Sequence, residues 1–397
     1  MKIGVFTDSF KPYTSGVVTS ICTFREELSA LGHETFVFAP SYPNYRETDK
    51  NVFRFFSVPA PTNPDYSVPV PISPRINIIA RKLDLDLIHV HTPFIMGQVG
   101  ARQARRLDVP LVFTYHTQYD QYVHYVPMGQ EWAKDLTIKY CRYFCNRCDL
   151  VITPSSDIKE QVLSYRIEAP VEVIPTGVDV NKFSRGDRTW LRREFGIDED
   201  KKICIYVGRL TREKNLEFLL KAFRLVLDRY PKTCLVIVAS GPLERELKKL
   251  TISQGMALNR DVIFTGFLPF ERLVDAYHGA DLFTFASLTE TQGIVLVEAM
   301  ASGLPVVAVR ASGTQDMVEN GRQGLLTRCD LEDFAQQVVR VLTDDELRRN
   351  LAEKAVKRAA ALSSRAMAKK LEESYYRVIE RYRGSQRRKF GLSWYLG

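Results

Sequence analysis

No stretch of this sequence approaches the ~18 consecutive apolar residues of a membrane-spanning helix, so none is expected in its 397 residues. Cysteine is scarce and odd in number, seven without regular spacing, which argues against a disulfide framework and for reduced thiols. Cys141, Cys145 and Cys148 share one helical face, but no further Cys or His completes a four-ligand zinc set; core packing is their reading. The GxxxxGK[ST] spacing of a phosphate loop is missing, and no Ser–His–Asp order or DxD-like metal carboxylate cluster stands out. There is no low-complexity segment and no short repeat. The chain opens MKIGVFTDSF, a strand from its second residue, which leaves no room for a secretory signal and makes the cytoplasm the expected location.

What is present suits folded domains. Hydrophobic residues make up 45% and charged residues 26%, ample for cores and against disorder as the main state. The length fits two or three domains. The net charge of +8 suits nucleic acid, an anionic membrane or a phosphate-bearing substrate about equally.

Short apolar runs alternate with helical patterns. Strands are expected at 2–7, 35–39, 87–90, 111–115, 150–154 and 171–174, with a helix over 17–31 stopped by Gly32. Residues 40–74, rich in Pro, Tyr and Asn, read as a long excursion. After a boundary near 177–188 the pattern restarts, with strands near 203–207, 234–239, 262–265, 282–286, 306–309 and 325–326. Residues 346–383 read as almost continuous helix. The fold class is α/β, two doubly wound parallel sheets. The domains are placed at 1–178 and 179–370, with 371–397 returning to the first. Ligands of such sheets bind at the carboxyl ends of the strands, so the two sheets are expected to face each other across a cleft.

Four segments carry the candidate chemistry. Glu290-Thr-Gln-Gly-Ile-Val-Leu-Val-Glu298 has the pattern E-x7-E, and its eight-residue spacing lets both carboxylates address one helical face. The amides of Thr291, Gln292, Gly293 and Ile294 open that helix and suit a phosphate or a sugar hydroxyl. The structural alternative makes Glu290 a helix cap and Glu298 a solvated residue. Gly208-Arg-Leu-Thr-Arg-Glu-Lys-Asn follows a strand and sets Arg209 and Lys214 as candidate diphosphate cations; the alternative is a solvated basic loop. Gly16 lies between the first strand and first helix, where amides face an anion or simply turn the chain. His116 lies just past a strand, followed by Tyr119, Tyr122 and His124, aromatics suited to a sugar or an amphiphilic acceptor. His89-Val-His91 reads as structural.

Together these segments, in this order, resemble the GT-B glycosyltransferases of family 4, which retain anomeric configuration; Ala301-Ser-Gly-Leu-Pro-Val-Val supports the likeness. The resemblance runs over nearly the whole chain. It implies that Arg209 and Lys214 bind the donor diphosphate, that Glu290 contacts the transferred sugar and that Glu298 holds the ribose. It also places Gly16, Gly241, Phe267, Leu268 and residues 291–294 at the donor, and His116 beside the sugar and its developing oxocarbenium charge. Ser15 stands where the commoner form has a first glycine, and Ser-Gly-Pro follows Ala239 where many relatives have a second glycine. The run from His116 to Pro127 is similar to that of bacterial diacylglycerol glucosyltransferases and of lipid mannosyltransferases acting on phosphatidylinositol. The implied reaction moves a hexose from a nucleotide diphosphate sugar, UDP-glucose by family weighting, to a lipid acceptor. The implied Tyr119, Tyr122 and His124 contacts are with that acceptor. No metal or other cofactor is required, because two protein cations meet the leaving group.

An anionic membrane surface is the expected partner. Arg381, Arg383, Arg387, Arg388 and Lys389 precede Phe390, Leu392, Trp394 and Tyr395, a basic aromatic tail suited to the inner face of the cell membrane, or else a solvated tail. The basic amphipathic segment 75–82 is a second candidate that could equally pack on the sheet. A soluble relative with a sugar or sugar-phosphate acceptor is the alternative enzyme. A nucleic-acid-binding protein would fit the charge but leave E-x7-E unexplained, so no nucleic acid is expected.

Overall fold

The computed structural model describes residues 1–60, 63–71, 75–119 and 130–393; the side chains of 63–65, 130 and 386–393 fall outside that description. The chain divides into two compact units, Met1–Gly177 with Met367–Gly397, and Val178–Ala366.

The first unit begins with β1 (Lys2–Phe6), α1 (Gly16–Ala30), β2 (Glu34–Pro40), β3 (Val52–Phe55), β4 (Ser57–Ala60), β5 (Asn63–Pro69) and α2 (Ile76–Leu83). It continues through β6 (Leu87–Val90), α3 (Ile95–Leu107), β7 (Leu111–Thr114), α4 (Gln130–Cys145), β8 (Leu150–Thr153), α5 (Ser156–Ser164) and β9 (Val171–Val173). Its seven-stranded sheet has the order β3-β2-β1-β6-β7-β8-β9. Every position of β6, β7 and β8 is buried, as expected of a parallel sheet covered on both faces. Phe6, Phe38, Phe113 and Phe144 lie in the core with Cys141, Cys145 and Cys148, and burial pushes the Cys145 and Cys148 thiols up and keeps them protonated. Those cysteines are core residues.

The second unit runs α6 (Trp190–Phe195), β10 (Lys202–Val207), α7 (Leu216–Arg229), β11 (Thr233–Val238), α8 (Glu244–Ser253), β12 (Val262–Phe264) and α9 (Phe270–Gly279). There follow β13 (Leu282–Phe285), α10 (Ile294–Ala301), β14 (Val306–Val309), α11 (Thr314–Met317), β15 (Gly324–Thr327), α12 (Leu331–Thr343) and α13 (Asp345–Ala361). Its sheet order is β12-β11-β10-β13-β14-β15, all parallel.

Two expectations are corrected. The excursion over 40–74 holds structure: β3 joins the sheet beside β2, and β4 pairs with β5 as an antiparallel hairpin. β3 and β4 are only four residues long, and prolines lie within β4 and β5, which hides their alternation. The long C-terminal helix is two helices. α13 ends at Ala361, the Leu362 carbonyl accepts from Val178 N at 3.2 Å, and Ser364 N donates to Val178 O at 2.8 Å. The chain then restarts as α14 (Ser364–Ser393), which from Met367 belongs to the first unit. There Tyr375 is buried, Glu372 meets His33 at 2.6 Å, and Glu172 accepts from Ser374 at 2.6 Å and Arg377 at 2.8 Å. Among the described residues no helix is long and apolar enough to cross a membrane.

Candidate active site

In the second unit β10 pairs with β11 on one side and β13 on the other, so the strand order reverses between β10 and β13. Open α/β sheets bind ligands at such a point. Lys214 follows β10 and Glu290 follows β13, and Lys214 Nζ donates to Glu290 Oε1 at 2.5 Å, with only 15% and 13% of the two side chains exposed. A short 3-10 turn over Arg212–Lys214 lifts the lysine into place, and Asn215 ends it in the left-handed region at φ 54°. Asn215 Nδ2 donates to Ala286 O at 3.3 Å, and Ser287 Oγ donates to Glu213 O at 3.2 Å. These bonds tie the loop after β10 to the loop after β13, which fixes the ion pair.

Arg209 is placed differently. Its side chain is 71% exposed, and its Nη2 lies 3.5 Å from Glu213 Oε1, a loose surface contact. Gly241, after β11, sits against the same loop: a Cβ there would lie 2.7 Å from Leu210 O. Phe267, after β12, is 80% exposed and Leu268 is half-buried.

The two glutamates do not share a helical face. Glu290 and Thr291 precede α10, Gln292 is buried, and Gly293 caps the helix at φ 76°, so only four residues separate Glu298 from the helix start. Glu298 turns to α9, where Tyr277 Oη donates to its Oε2 at 2.9 Å. Burial raises the Glu298 carboxyl to about 6 and outweighs the Tyr277 hydrogen bond, which lowers it. It is therefore no solvated helix residue. Behind Glu290 lies Gly313, at φ 73°; a Cβ there would fall 2.7 Å from Glu290 O and 2.9 Å from Gln292 N. Tyr277, Asn215 and Gly313 carry no signal that sequence reasoning used, because each acts through a contact between elements distant in the chain.

In the first unit Gly16 is the first residue of α1, Ser15 caps it by accepting from Val18 N at 3.3 Å, and a Cβ at Gly16 would meet nothing within 4 Å. The direction a side chain would take from Gly16 is thus open at that helix start. His116, past β7, is hydrogen-bonded through Nε2 to His91 Nδ1 at 2.8 Å. His91 packs on His89, ring centroids 4.2 Å apart. His89 in turn meets Tyr375 Oη at 2.6 Å and Thr114 Oγ1 at 2.7 Å. Burial lowers all three imidazoles, His116 to about 4 and His89 to about 3, so the cluster is neutral at physiological pH. Tyr119 packs edge-on against Phe94 and Tyr115. Tyr122 and His124 lie outside the described residues. Among the described residues no group of His, Cys, Asp and Glu could hold a metal ion.

Residues 14–182 match the family model of Glycosyltransferase Family 4, and residues 187–358 that of Glycosyl transferases group 1. An alpha-monoglucosyldiacylglycerol synthase of Streptococcus pneumoniae is 33% identical over 387 residues, 96% of this chain and 86% of that protein. The protein of the same name from Acholeplasma laidlawii is 29% identical over 394 residues, 96% of this chain and 98% of that protein. A GDP-mannose-dependent alpha-mannosyltransferase of Corynebacterium glutamicum is 31% identical over 348 residues, 85% of this chain and 78% of that protein. Among solved structures, sucrose-phosphate synthase from Thermosynechococcus elongatus superposes with a TM-score of 0.76 at 22% identity, over 96% of this chain and 99% of that one. Anabaena HepE in complex with UDP does so at 0.75 and 21%, over 94% and 99%. Likeness at that identity is likeness of fold.

Proposed function

Since the chain belongs to glycosyltransferase family 4 and is a glycosyltransferase, we propose that it transfers glucose from UDP-glucose to diacylglycerol. We infer retention of anomeric configuration, no requirement for a divalent metal, and action on the cytoplasmic face of the cell membrane. The full-length likeness to the two glucolipid synthases carries this reading.

The residues supply a consistent chemistry. Lys214, held by Glu290, meets the departing diphosphate, with Arg209 free to swing from solvent as a second cation. Positive groups aimed at charge that develops in the transition state act more strongly there than in the ground state. Glu290 is released towards a hydroxyl of the transferred hexose as the phosphate takes its ammonium partner. Glu298 accepts from the ribose hydroxyls through the oxygen that Tyr277 leaves free. The family resemblance assigns His116 to the sugar, and a neutral imidazole in that role adds no repulsion to an oxocarbenium centre. No carboxylate pair of these residues stands ready as nucleophile and base, which favours same-face transfer in which the leaving diphosphate takes the acceptor proton.

Attachment to an anionic surface rests on the basic tail and on α2, where Ile78 is 58% exposed beside Arg75, Arg81 and Lys82 while Ile76 and Ala80 are buried. Helix α14 extends to Ser393; residues 394–397, with Trp394 and Tyr395, lie outside the described residues.

The test is a panel of UDP-glucose and GDP-mannose against diacylglycerol, phosphatidylinositol and fructose 6-phosphate, read by mass spectrometry with NMR of the anomeric proton. An α-glucosyl diacylglycerol is expected. Mannosyl phosphatidylinositol, or a soluble sugar product alone, would overturn the assignment.

A further inference from the structure

The first unit contains three imidazoles in a row, and the reaction as read above uses one of them. We propose that His91 is a positioning residue for His116: it holds the His116 ring through the Nδ1–Nε2 hydrogen bond and commits Nδ1 of His116 to the substrate. This rests on the assignment of His116 to the reacting sugar.

The geometry supports a fixed partner and not a chance contact. The two nitrogens are 2.8 Å apart and the rings lie nearly parallel, 18° between planes with centroids at 5.1 Å. Two neutral imidazoles at that distance share one N–H, so the tautomer of one dictates the tautomer of the other. His91 cannot turn away to satisfy itself elsewhere. It is 4% exposed, it directly follows β6, and its backbone N–H donates to Phe6 O at 2.9 Å. Its other side is closed by His89, which is immobilised at both ring nitrogens: Tyr375 on α14 takes Nδ1 and Thr114 on β7 takes Nε2. His89 therefore has no nitrogen left for His91 and meets it through ring contact alone, as a wall. The next residue is fixed as well: Thr92 Oγ1 donates to Asp8 Oδ2 at 2.5 Å, and Asp8 Oδ1 accepts from Met96 N at 2.7 Å at the start of α3. The orientation of His116 is thus set by a chain of contacts running from α14 through His89 and His91. A ring held this way needs no reorganisation when the substrate arrives, which is where an active-site group gains its effect.

Four variants of the full-length enzyme test the inference: His91→Phe, His91→Asn, His91→Gln and His116→Phe, each checked for folding by circular dichroism and assayed with UDP-glucose and diacylglycerol in mixed micelles. Phe keeps the stacked ring and removes the nitrogen. Asn sets an amide where Nδ1 was, whereas Gln sets one near Nε2. The expected result is a kcat for His91→Phe reduced about 10-fold or more, with KM for UDP-glucose within about 2-fold of wild type. His91→Asn should recover most of that loss and His91→Gln should not. A merely structural role would make Asn and Gln alike, so that difference decides the matter even if His91→Phe fails to fold. Wild-type kcat in His91→Phe or His91→Gln, with His116→Phe inactive, would overturn the positioning role and leave His116 in place. Full activity in His116→Phe would overturn the assignment of His116, and the inference with it.

Discussion

Tyr277 on α9 donates its hydroxyl hydrogen to Glu298 Oε2 on α10 at 2.9 Å, and Glu298 has its carboxyl raised to about 6 by burial. One oxygen is thereby occupied and the other is left for a ligand. The carboxylate must be ionised to accept from two ribose hydroxyls, so affinity for UDP-glucose should be full at pH 7.5 and fall as pH drops below about 6. Hydrogen bonds to a charged acceptor contribute ~1.5–3 kcal/mol, so Glu298→Gln should weaken binding about 10-fold or more at pH 7.5 and abolish the pH dependence. Calorimetric titration at pH 5.5, 6.5 and 7.5 reads both. Unchanged affinity in the variant would remove Glu298 from the site.

The same shift has a stability consequence of opposite sense. The folded carboxyl titrates above the unfolded one, so its contribution is greatest below pH 4.5 and is lost as pH rises through 6. The difference is about 2 kcal/mol at neutral pH. Glu298→Gln should therefore raise the melting temperature of the second unit at pH 7.5 while it lowers donor affinity; a fall in Tm would contradict this balance.

Lys214→Ala and Arg209→Ala should each lower kcat about 100-fold or more with UDP-glucose, since both cations are assigned to charge that grows on the leaving group. Lys214→Ala has the additional effect of leaving Glu290 unpaired in a largely buried position. A raised KM with intact kcat would assign these cations to ground-state binding. Chelator should leave the wild-type rate in place, and a loss restored by Mg²⁺ would overturn the metal-free mechanism.

Gly313→Ala should impair donor binding through the backbone of the turn that Gly313 packs against. The added methyl would meet the Glu290 carbonyl at 2.7 Å in a left-handed backbone region at φ 73°, a strain of ~1–3 kcal/mol. The turn carrying Glu290 and Gln292 has to shift to relieve it. We expect UDP-glucose affinity to drop about 10-fold, together with a lower Tm, and wild-type affinity would show that the turn tolerates the methyl.

Acid should weaken the first unit. His89 and His116 titrate lower in the folded state than the ordinary 6.5, at about 3 and about 4. The unfolded chain therefore takes up protons first, and stability is lost as pH falls from about 6.5 towards 4. Thermal melts at pH 7.5 and pH 5 should show a lower Tm at pH 5, with a smaller drop in His116→Phe. A pH-independent Tm would mean that protons reach these imidazoles without unfolding.

Removal of residues 384–397 should reduce flotation with anionic vesicles and leave UDP-glucose binding unchanged. Arg387, Arg388 and Lys389 supply ~1 kcal/mol each near a charged surface, and that attraction should decline with salt. Equal flotation of full-length and truncated protein would move attention to α2.

Much of this molecule is legible in one dimension. The burial of whole strands such as Leu111–Thr114 and Leu150–Thr153 follows from unbroken apolar runs, because a parallel sheet covered on both faces offers no wet side. The positions of Lys214 and Glu290 also follow from sequence, since each lies just past a strand, where loops meet ligands. The local order of residues does not contain the partners. E-x7-E suggests one carboxylate face, but the helix begins at Ile294, so Glu290 closes on a lysine 76 residues away and Glu298 on a tyrosine from another helix. The strands over 52–69 are not legible in composition, because pairing makes them strands: β3 with β2, and β4 with β5. His89 and His91 read as structural from an alternating pair. Only packing places His91 against His116 and brings Tyr375 back across more than 280 residues to hold His89. Sequence determined which segments bury and where loops emerge, because those depend on local hydrophobic pattern. Tertiary structure alone decided which side chains meet, and with that the ionisation of Glu298 and the three imidazoles, because desolvation and hydrogen bonding are properties of the assembled surroundings.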